Sequence, residues 1–401
     1  MVRVGQAAMG NQEDEEMGGA ELIGKEERDA VSEVFERGVL FRYGFNEKRK
    51  NIFRVLEFEG EFNKYMGSSY SLGVASGSAA LRVALAALGL KRGDEVITQS
   101  FTFVATIEAI LEAGGVPILA EVDKSLNLDP QDLEKKITEK TRVIMPVHML
   151  GVPARMDEIM AIARKKNIAV LEDSCQACGS SYRGKKTGTI GAIGAYSFDY
   201  VKTLTTGEGG MLATNDKRLY DLARYYHDHG HEHNPEVPRG EDSHSMTGFN
   251  YRMTEIQGAM GKVQLQRLDF VLAEQRKNKA RIKKVVAEIP RIEFRDQPDP
   301  EGDGGDTLAF FLPDAKTAKE FNAVLAQEKV DTKILPSAMN WHFVANWNHI
   351  IQFCPPYRTD AWPQSEKLLK RAIALPISVV MSEEQISRVE AAVRKAAKEV
   401  I

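Results

Sequence analysis

A lysine in this 401-residue chain stands where covalent chemistry could occur. Lys202 follows an apolar run that ends at Ser197 and Phe198, in a short connection rich in hydroxyl groups and glycine. An amine at the end of such a strand would project into the crevice where open α/β sheets bind ligands. Because lysine amines form imines with carbonyl compounds, we predict a catalytic role for Lys202. The structural alternative is a solvated lysine beside a turn, the ordinary place of most lysines.

Two further patterns could complete a site around this amine. Asp173 ends the apolar run 168–172, where a carboxylate could pair with a protonated pyridine nitrogen and make that ring a better electron sink. Gln176 could reach a phenolic oxygen on the same ring if the chain turns into a helix. Gly77 and Ser78 begin a helical segment after another apolar run, and free N–H groups there suit a phosphate. Each pattern has a structural alternative, because Asp and Ser are also common helix N-caps.

Short apolar runs alternate with helical periodicity over the first part of the chain and predict a largely parallel sheet covered by helices. The predicted strands are 72–75, 96–99, 116–119, 143–147, 168–172, 195–198 and 210–214. The predicted helices are 78–88, 103–113, 130–137 and 156–166.

The second part of the chain changes character. The stretch 227–251 is dense in His, Gly and Pro, has neither period and predicts a long loop. A helix over 254–286 follows, and then an α+β unit with strands 307–311 and 372–376 and a closing helix 382–400. We therefore predict a disordered tail at 1–20, a large domain at 21–286 and a small C-terminal domain at 287–401.

The composition limits the possible partners and the compartment. A formal net charge of −4 gives no field that would gather nucleic acid or anionic membrane, and no run is apolar enough to cross a bilayer. The opening residues lack the cationic start and apolar core of a secretion signal. These features predict a cytoplasmic protein that acts on small molecules or associates with its own copies.

The cysteines and histidines offer weaker patterns. Cys175 and Cys178 form a C-x-x-C, but a zinc site would need further ligands, so local packing is favoured over metal or redox chemistry. His227, His229, His231 and His233 alternate in a stretch with loop composition, so we predict no metal site there. His148 ends a predicted strand and could approach the active site.

The Lys202, Asp173 and Gly77 patterns, in this order and spacing, resemble the DegT/DnrJ/StrS family of sugar aminotransferases over about residues 43–269. Further matching stretches are 93–97, 100–106, 146–151 and 248–252. The resemblance implies an aspartate aminotransferase-type α/β fold (PLP fold type I), with a seven-stranded, mostly parallel sheet. It also implies pyridoxal 5′-phosphate (PLP) as cofactor and a homodimer with shared active sites.

Site residues carry over position by position. The resemblance implies Lys202 as the Schiff-base lysine, Asp173 on the pyridine nitrogen and Gln176 near the ring hydroxyl. It also implies contacts to the cofactor phosphate and ring from Gly77, Ser78, Ser197, Phe103 and, from the neighbouring subunit, Asn250.

The implied activity is transfer of an amino group from glutamate to a keto-sugar, since dehydratase relatives have histidine in place of Lys202. The segment 38–44, with Lys48, Arg49 and Lys50 after it, resembles members that aminate 8-oxo-3,8-dideoxy-manno-octulosonate for lipopolysaccharide, and cationic side chains would suit that carboxylate. A nucleotide-linked keto-sugar is the alternative acceptor. A same-fold dehydratase or epimerase, a noncatalytic sensor and a C-x-x-C redox protein are the alternative functions.

Overall fold

A seven-stranded sheet organises the larger part of the protein; the computed structural model describes residues 18–401. Its strands are β1 Tyr70–Val74, β2 Glu95–Gln99, β3 Val116–Ala120, β4 Thr141–Ile144, β5 Ala169–Asp173, β6 Ile193–Ser197 and β7 Gly210–Thr214. The spatial order is β1-β7-β6-β5-β4-β2-β3. Only β7 runs antiparallel to its neighbours, β1 and β6. The predicted seven-stranded, mostly parallel sheet is therefore confirmed.

Helices cover both faces of this sheet. They are α1 Lys25–Arg37, α2 Arg54–Met66, α3 Gly77–Ala87, α4 Val104–Glu112, α5 Pro130–Lys136, α6 Met156–Lys166, α7 Lys217–Tyr226 and α8 Glu255–Ala287. Successive strand residues point to opposite faces. Leu171 and Leu212 accordingly pack with α3, α4 and α7. Val170 packs with α5 and α6, and Met211 packs with α2 and α8.

A smaller α+β unit follows α8. Its antiparallel sheet consists of β8 Glu293–Phe294, β9 Thr307–Phe311 and β10 Ala372–Pro376. Its helices are α9 Ala315–Gln327, α10 Asn348–Ile351, α11 Pro363–Lys370 and α12 Glu383–Val400. The two predicted strands and the closing helix are present, with Ser382 as the N-cap of α12. The domain boundary between 286 and 287 stays a prediction; α8 itself ends at Ala287.

Two predicted boundaries differ from the structure by more than two residues. The strand predicted over 143–147 ends at Ile144, because Pro146 has no N–H to continue the ladder; Val147 forms an isolated bridge with Asp173.

The predicted tail 1–20 ends too late. Residues 1–17 lie outside the described part, but Gly18–Leu22 is a 3₁₀ helix whose Gly19 N–H donates to the Lys202 carbonyl at 3.0 Å. A Cβ on Gly18 would lie 2.7 Å from that carbonyl oxygen, so glycine permits the contact.

The predicted loop 227–251 is irregular, apart from a 3₁₀ turn at Arg239–Glu241, and it is organised around the buried Asp228. Arg239 Nη2 donates to Asp228 Oδ1 at 2.7 Å, and Arg252 donates to the same oxygen. Burial alone would raise the pKa of Asp228, but the two guanidinium groups hold that pKa well below its usual value. His233 lies 3.4 Å from the second carboxylate oxygen. His233 therefore lies beside an internal ion-pair cluster formed by Asp228, Arg239 and Arg252.

Between residues 18 and 401, no helix is long and apolar enough to span a membrane.

Candidate active site

A cavity of about 770 Å³ opens at the carboxyl ends of the large sheet's strands and extends to the smaller unit. Four of the predicted site residues lie on its wall at the ends of elements. Asp173 and Ser197 end strands β5 and β6, and Gly77 and Ser78 begin helix α3. Three more complete the set: Phe103, Gln176 and Lys202. The structure therefore brings seven of the eight predicted site residues to one cavity. Asn250 is exposed and does not line it, so its predicted contact from a neighbouring subunit stays a prediction.

Asp173 is the last residue of β5 and is 3% exposed. Its Oδ2 accepts a hydrogen bond from Thr106 Oγ1 at 2.9 Å, and its Oδ1 accepts one from the Cys175 N–H at 3.1 Å. Thr106 uses its only proton on the carboxylate, so Thr102 must donate across the 2.7 Å contact between the two hydroxyl groups. A carboxylate fixed in this way can pair with a protonated ring nitrogen.

Glu172, one residue earlier, points to the opposite face of the sheet. Its carboxylate is fully buried and accepts from the backbone N–H groups of Gly188, Ile190 and Gly191 at 2.6–2.8 Å. His148 Nε2 lies 3.0 Å from Glu172, and His148 Nδ1 accepts from the Ala154 N–H. His148 therefore does not line the cavity, and the pair holds loops behind the site.

Glu172→Gln should lower the free energy of unfolding by about 2–4 kcal/mol. The reason is that either glutamate oxygen, if replaced by NH₂, would present a donor to buried N–H donors. Urea unfolding monitored by circular dichroism measures the change, with the exposed Glu139→Gln as a matched control. Equal stability of the two variants would contradict the structural role of Glu172.

Lys202 lies in the connection between β6 and β7. The connection is folded back on itself: Thr206 N–H donates to the Phe198 carbonyl and Phe198 N–H donates to the Gly209 carbonyl, both at 2.9 Å. Lys202 N–H closes a turn onto the Asp199 carbonyl at 3.0 Å. The Lys202 side chain is half-buried and shares the cavity with Asp173.

The start of α3 is suited to an anion. Ser76 Oγ accepts from the Ala79 N–H at 3.1 Å and caps the helix. Within residues 18–401, no partner is found for the N–H groups of Gly77 and Ser78. A Cβ on Gly77 would lie 2.7 Å from Ser197 Cβ, so glycine lets the helix start approach the Ser197 side chain. Unpaired N–H groups, the helix dipole and nearby hydroxyl groups together fit a phosphate.

The ring-binding part of the wall is formed by Phe103 and Gln176. Phe103 is 44% exposed at the N-cap position of α4, so one ring face is available to a ligand. Gln176 Oε1 accepts from the Leu150 N–H at 3.0 Å, and its Nε2 makes no hydrogen bond to the described residues. That amide can therefore donate to a ring oxygen. With Lys202 and Asp173, these residues fit pyridoxal phosphate.

The C-x-x-C thiols also line this cavity. Burial raises the pKa of Cys178 to about 12, and burial followed by the Asp173 charge raises the pKa of Cys175 well above its usual value. A thiol that resists ionisation is a poor nucleophile and metal ligand. The structure therefore favours the packing explanation over redox chemistry.

Sequence reasoning did not assign Thr106, which fixes Asp173, or His342, which lines the cavity from the smaller unit. Thr106 stands in the matching stretch 100–106, and that stretch was its available signal. His342 lies in an irregular segment, and only the folded chain shows that it contacts Phe103, with ring centroids 5.5 Å apart.

A solved structure shares this fold. The aminotransferase from Psychrobacter cryohalolentis superposes with a TM-score of 0.84 at 27% identity, over 94% of this chain and 98% of that chain. The fold and the residues on the cavity wall fit the class of pyridoxal phosphate-dependent aminotransferases.

Sequence comparisons identify the family. The model of the DegT/DnrJ/EryC1/StrS aminotransferase family matches residues 21–394, so the chain belongs to that family and its cofactor is pyridoxal 5′-phosphate. GDP-perosamine synthase of Caulobacter vibrioides is 41% identical over 220 residues, which are 55% of this chain and 58% of that protein. The dTDP-3-amino-3,6-dideoxy-α-D-galactopyranose transaminase of Aneurinibacillus thermoaerophilus is 32% identical over 92% of this chain and 95% of that protein.

Proposed function

We propose that this protein transfers the amino group of glutamate to a keto-sugar. The observation that carries the proposal is the single cavity shared by the Lys202 amine, the fixed Asp173 carboxylate and the anion site at α3. The names of the two relatives, a perosamine synthase and an amino-sugar transaminase, support a sugar as acceptor.

Three residues of the cavity wall have proposed tasks. When bound, pyridoxal phosphate would supply an aldehyde carbon that takes up the amino group and a ring that accepts electrons. Lys202 would hold the cofactor covalently, and its Nζ would move a proton at the substrate carbon that bears the amino group. Asp173 keeps the ring nitrogen protonated, and Gln176 donates to the ring oxygen.

The acceptor that we propose is 8-oxo-3,8-dideoxy-manno-octulosonate, because the segment 38–44 resembles transaminases that use it. The structure changes which cations could meet its carboxylate. Arg49 is 1% exposed and lies 3.4 Å from Glu255, and Arg42 donates to Glu59 at 2.6 Å, so both guanidinium groups are committed inside the fold. Lys48 and Lys50 are the exposed cations of the segment. A nucleotide-linked keto-sugar is the second candidate, favoured by the named relatives.

Incubation of the purified holoenzyme with glutamate and each acceptor separately tests the proposal. We expect an amino-sugar and an equal amount of 2-oxoglutarate from one acceptor class, both measured by mass spectrometry. Sugar conversion without glutamate consumption would indicate a dehydratase or epimerase. Full cofactor occupancy with no conversion of either class would contradict the proposal and favour a noncatalytic sensor.

A further inference from the structure

His342 is fixed at the cavity wall by backbone pairing between the smaller unit and the large sheet. The Thr102 N–H donates to the His342 carbonyl at 2.9 Å, and the Val344 N–H donates to the Ser100 carbonyl at 3.1 Å. These bonds flank a bridge between Phe101 and Phe343. The imidazole is therefore held in register with Phe103, the residue that follows this pairing on the large-sheet side.

The hydrogen bonds of the imidazole determine what it can offer to a ligand. His342 Nδ1 lies 2.9 Å from the Ala338 carbonyl oxygen, and a carbonyl only accepts, so Nδ1 carries the proton. In the neutral ring, Nε2 is then a bare acceptor. No described residue is hydrogen-bonded to Nε2, and His342 lines the cavity although it is only 9% exposed.

The surroundings keep this ring neutral. Burial and, to a smaller extent, the nearby Lys202 charge lower the pKa of His342 to about 4, although the hydrogen bond to the Ala338 carbonyl opposes the shift. At neutral pH the side chain thus presents an acceptor and no positive charge. Its complement in a ligand is a hydroxyl or N–H group.

We propose that Nε2 of His342 accepts a hydrogen bond from a hydroxyl group of the keto-sugar, and so acts as a residue that determines acceptor specificity. The inference rests on the proposed function, since it assigns one recognition contact within that reaction. Glutamate has no hydroxyl group, and its only N–H donor is the amino group that is itself transferred. The contact therefore serves the acceptor half of the reaction and not the donor half.

The test measures the two half-reactions separately in single-turnover experiments on the holoenzyme, with His342→Phe, which keeps a ring and removes the acceptor. We expect kcat/KM for the keto-sugar to fall by about ten- to a hundredfold, because the sugar hydroxyl is left buried and unpaired. The glutamate half-reaction should change by less than about threefold. His342→Gln, whose amide oxygen can accept, should recover part of the loss, and the exposed His349→Phe is the matched control.

Acceptor analogues that each lack one hydroxyl group identify which hydroxyl contacts His342. For the wild-type enzyme, removal of one particular hydroxyl from the acceptor should lower kcat/KM as much as His342→Phe does. The same analogue should lower kcat/KM of His342→Phe little further. Equal losses in both half-reactions, or full additivity for every hydroxyl removed, would overturn the inference. If His342→Phe does not fold, His342→Gln with the analogues decides the question. Failure of the proposed function looks different, since wild-type enzyme would then complete the glutamate half-reaction and convert no keto-sugar.

Discussion

Substitution of Lys202 by alanine is expected to lower turnover by about four orders of magnitude or more, because one change removes both the covalent tether and the base. The visible absorbance of the bound cofactor should disappear or shift in the same variant. Absorbance spectra and an assay of 2-oxoglutarate release measure the two effects. Borohydride reduction of the wild-type protein should place the cofactor on the peptide that contains Lys202.

Lys185→Ala is the matched control for this experiment. Lys185 is exposed in the short strand Lys185–Lys186 and lies outside the cavity. The control should retain both absorbance and turnover. A Lys202→Ala protein that turns over at the wild-type rate, or a wild-type protein that takes up no cofactor, would contradict the assignment of Lys202.

Asp173→Asn is expected to lower kcat by about a hundred- to a thousandfold with the cofactor still bound, because the amide keeps the shape of the side chain and loses its charge. The phosphate site at α3 is untouched by the change, so cofactor retention should persist. Rapid-mixing measurement of the glutamate half-reaction isolates this effect from acceptor binding.

The neighbouring hydrogen bonds provide the comparison for Asp173. Thr106→Val removes the donor to Asp173 Oδ2 and leaves the charge, so its loss should be smaller than that of Asp173→Asn. Thermal unfolding of both variants checks that the fold is retained. Unchanged kcat in Asp173→Asn would show that the carboxylate does not act on the cofactor ring.

The sequence predicted the parts of the protein that depend on local pattern. Short, regularly spaced apolar runs indicate strands without knowledge of which strand pairs with which. All seven strands of the large sheet were therefore predicted. The place of Lys202 and Asp173 on one cavity was predictable because the carboxyl ends of parallel strands meet at one edge of the sheet. Their roles stay predictions, because those roles rest on the chemistry of a cofactor that would contact both groups in this cavity.

The parts that local pattern missed depend on contacts between distant residues. His148 and Glu172 are 24 positions apart, and nothing in either segment shows that the imidazole turns away from the cavity to meet that carboxylate. Arg49 stands in a cationic segment that predicts substrate binding. Its charge is instead paired with Glu255, about two hundred positions later in the chain. His342 reaches Phe103 only after the smaller unit pairs with the chain beyond β2.

The 3₁₀ helix Gly18–Leu22 joins regions that are far apart in the chain. Its Gly19 is bonded to the Lys202 backbone, and Glu21 accepts from Ser378 Oγ at 2.6 Å and from the Val380 N–H at 2.9 Å, just beyond β10. Residues 19–21 thus fix the distance between the C-terminal unit and the peptide that carries the Lys202 amine.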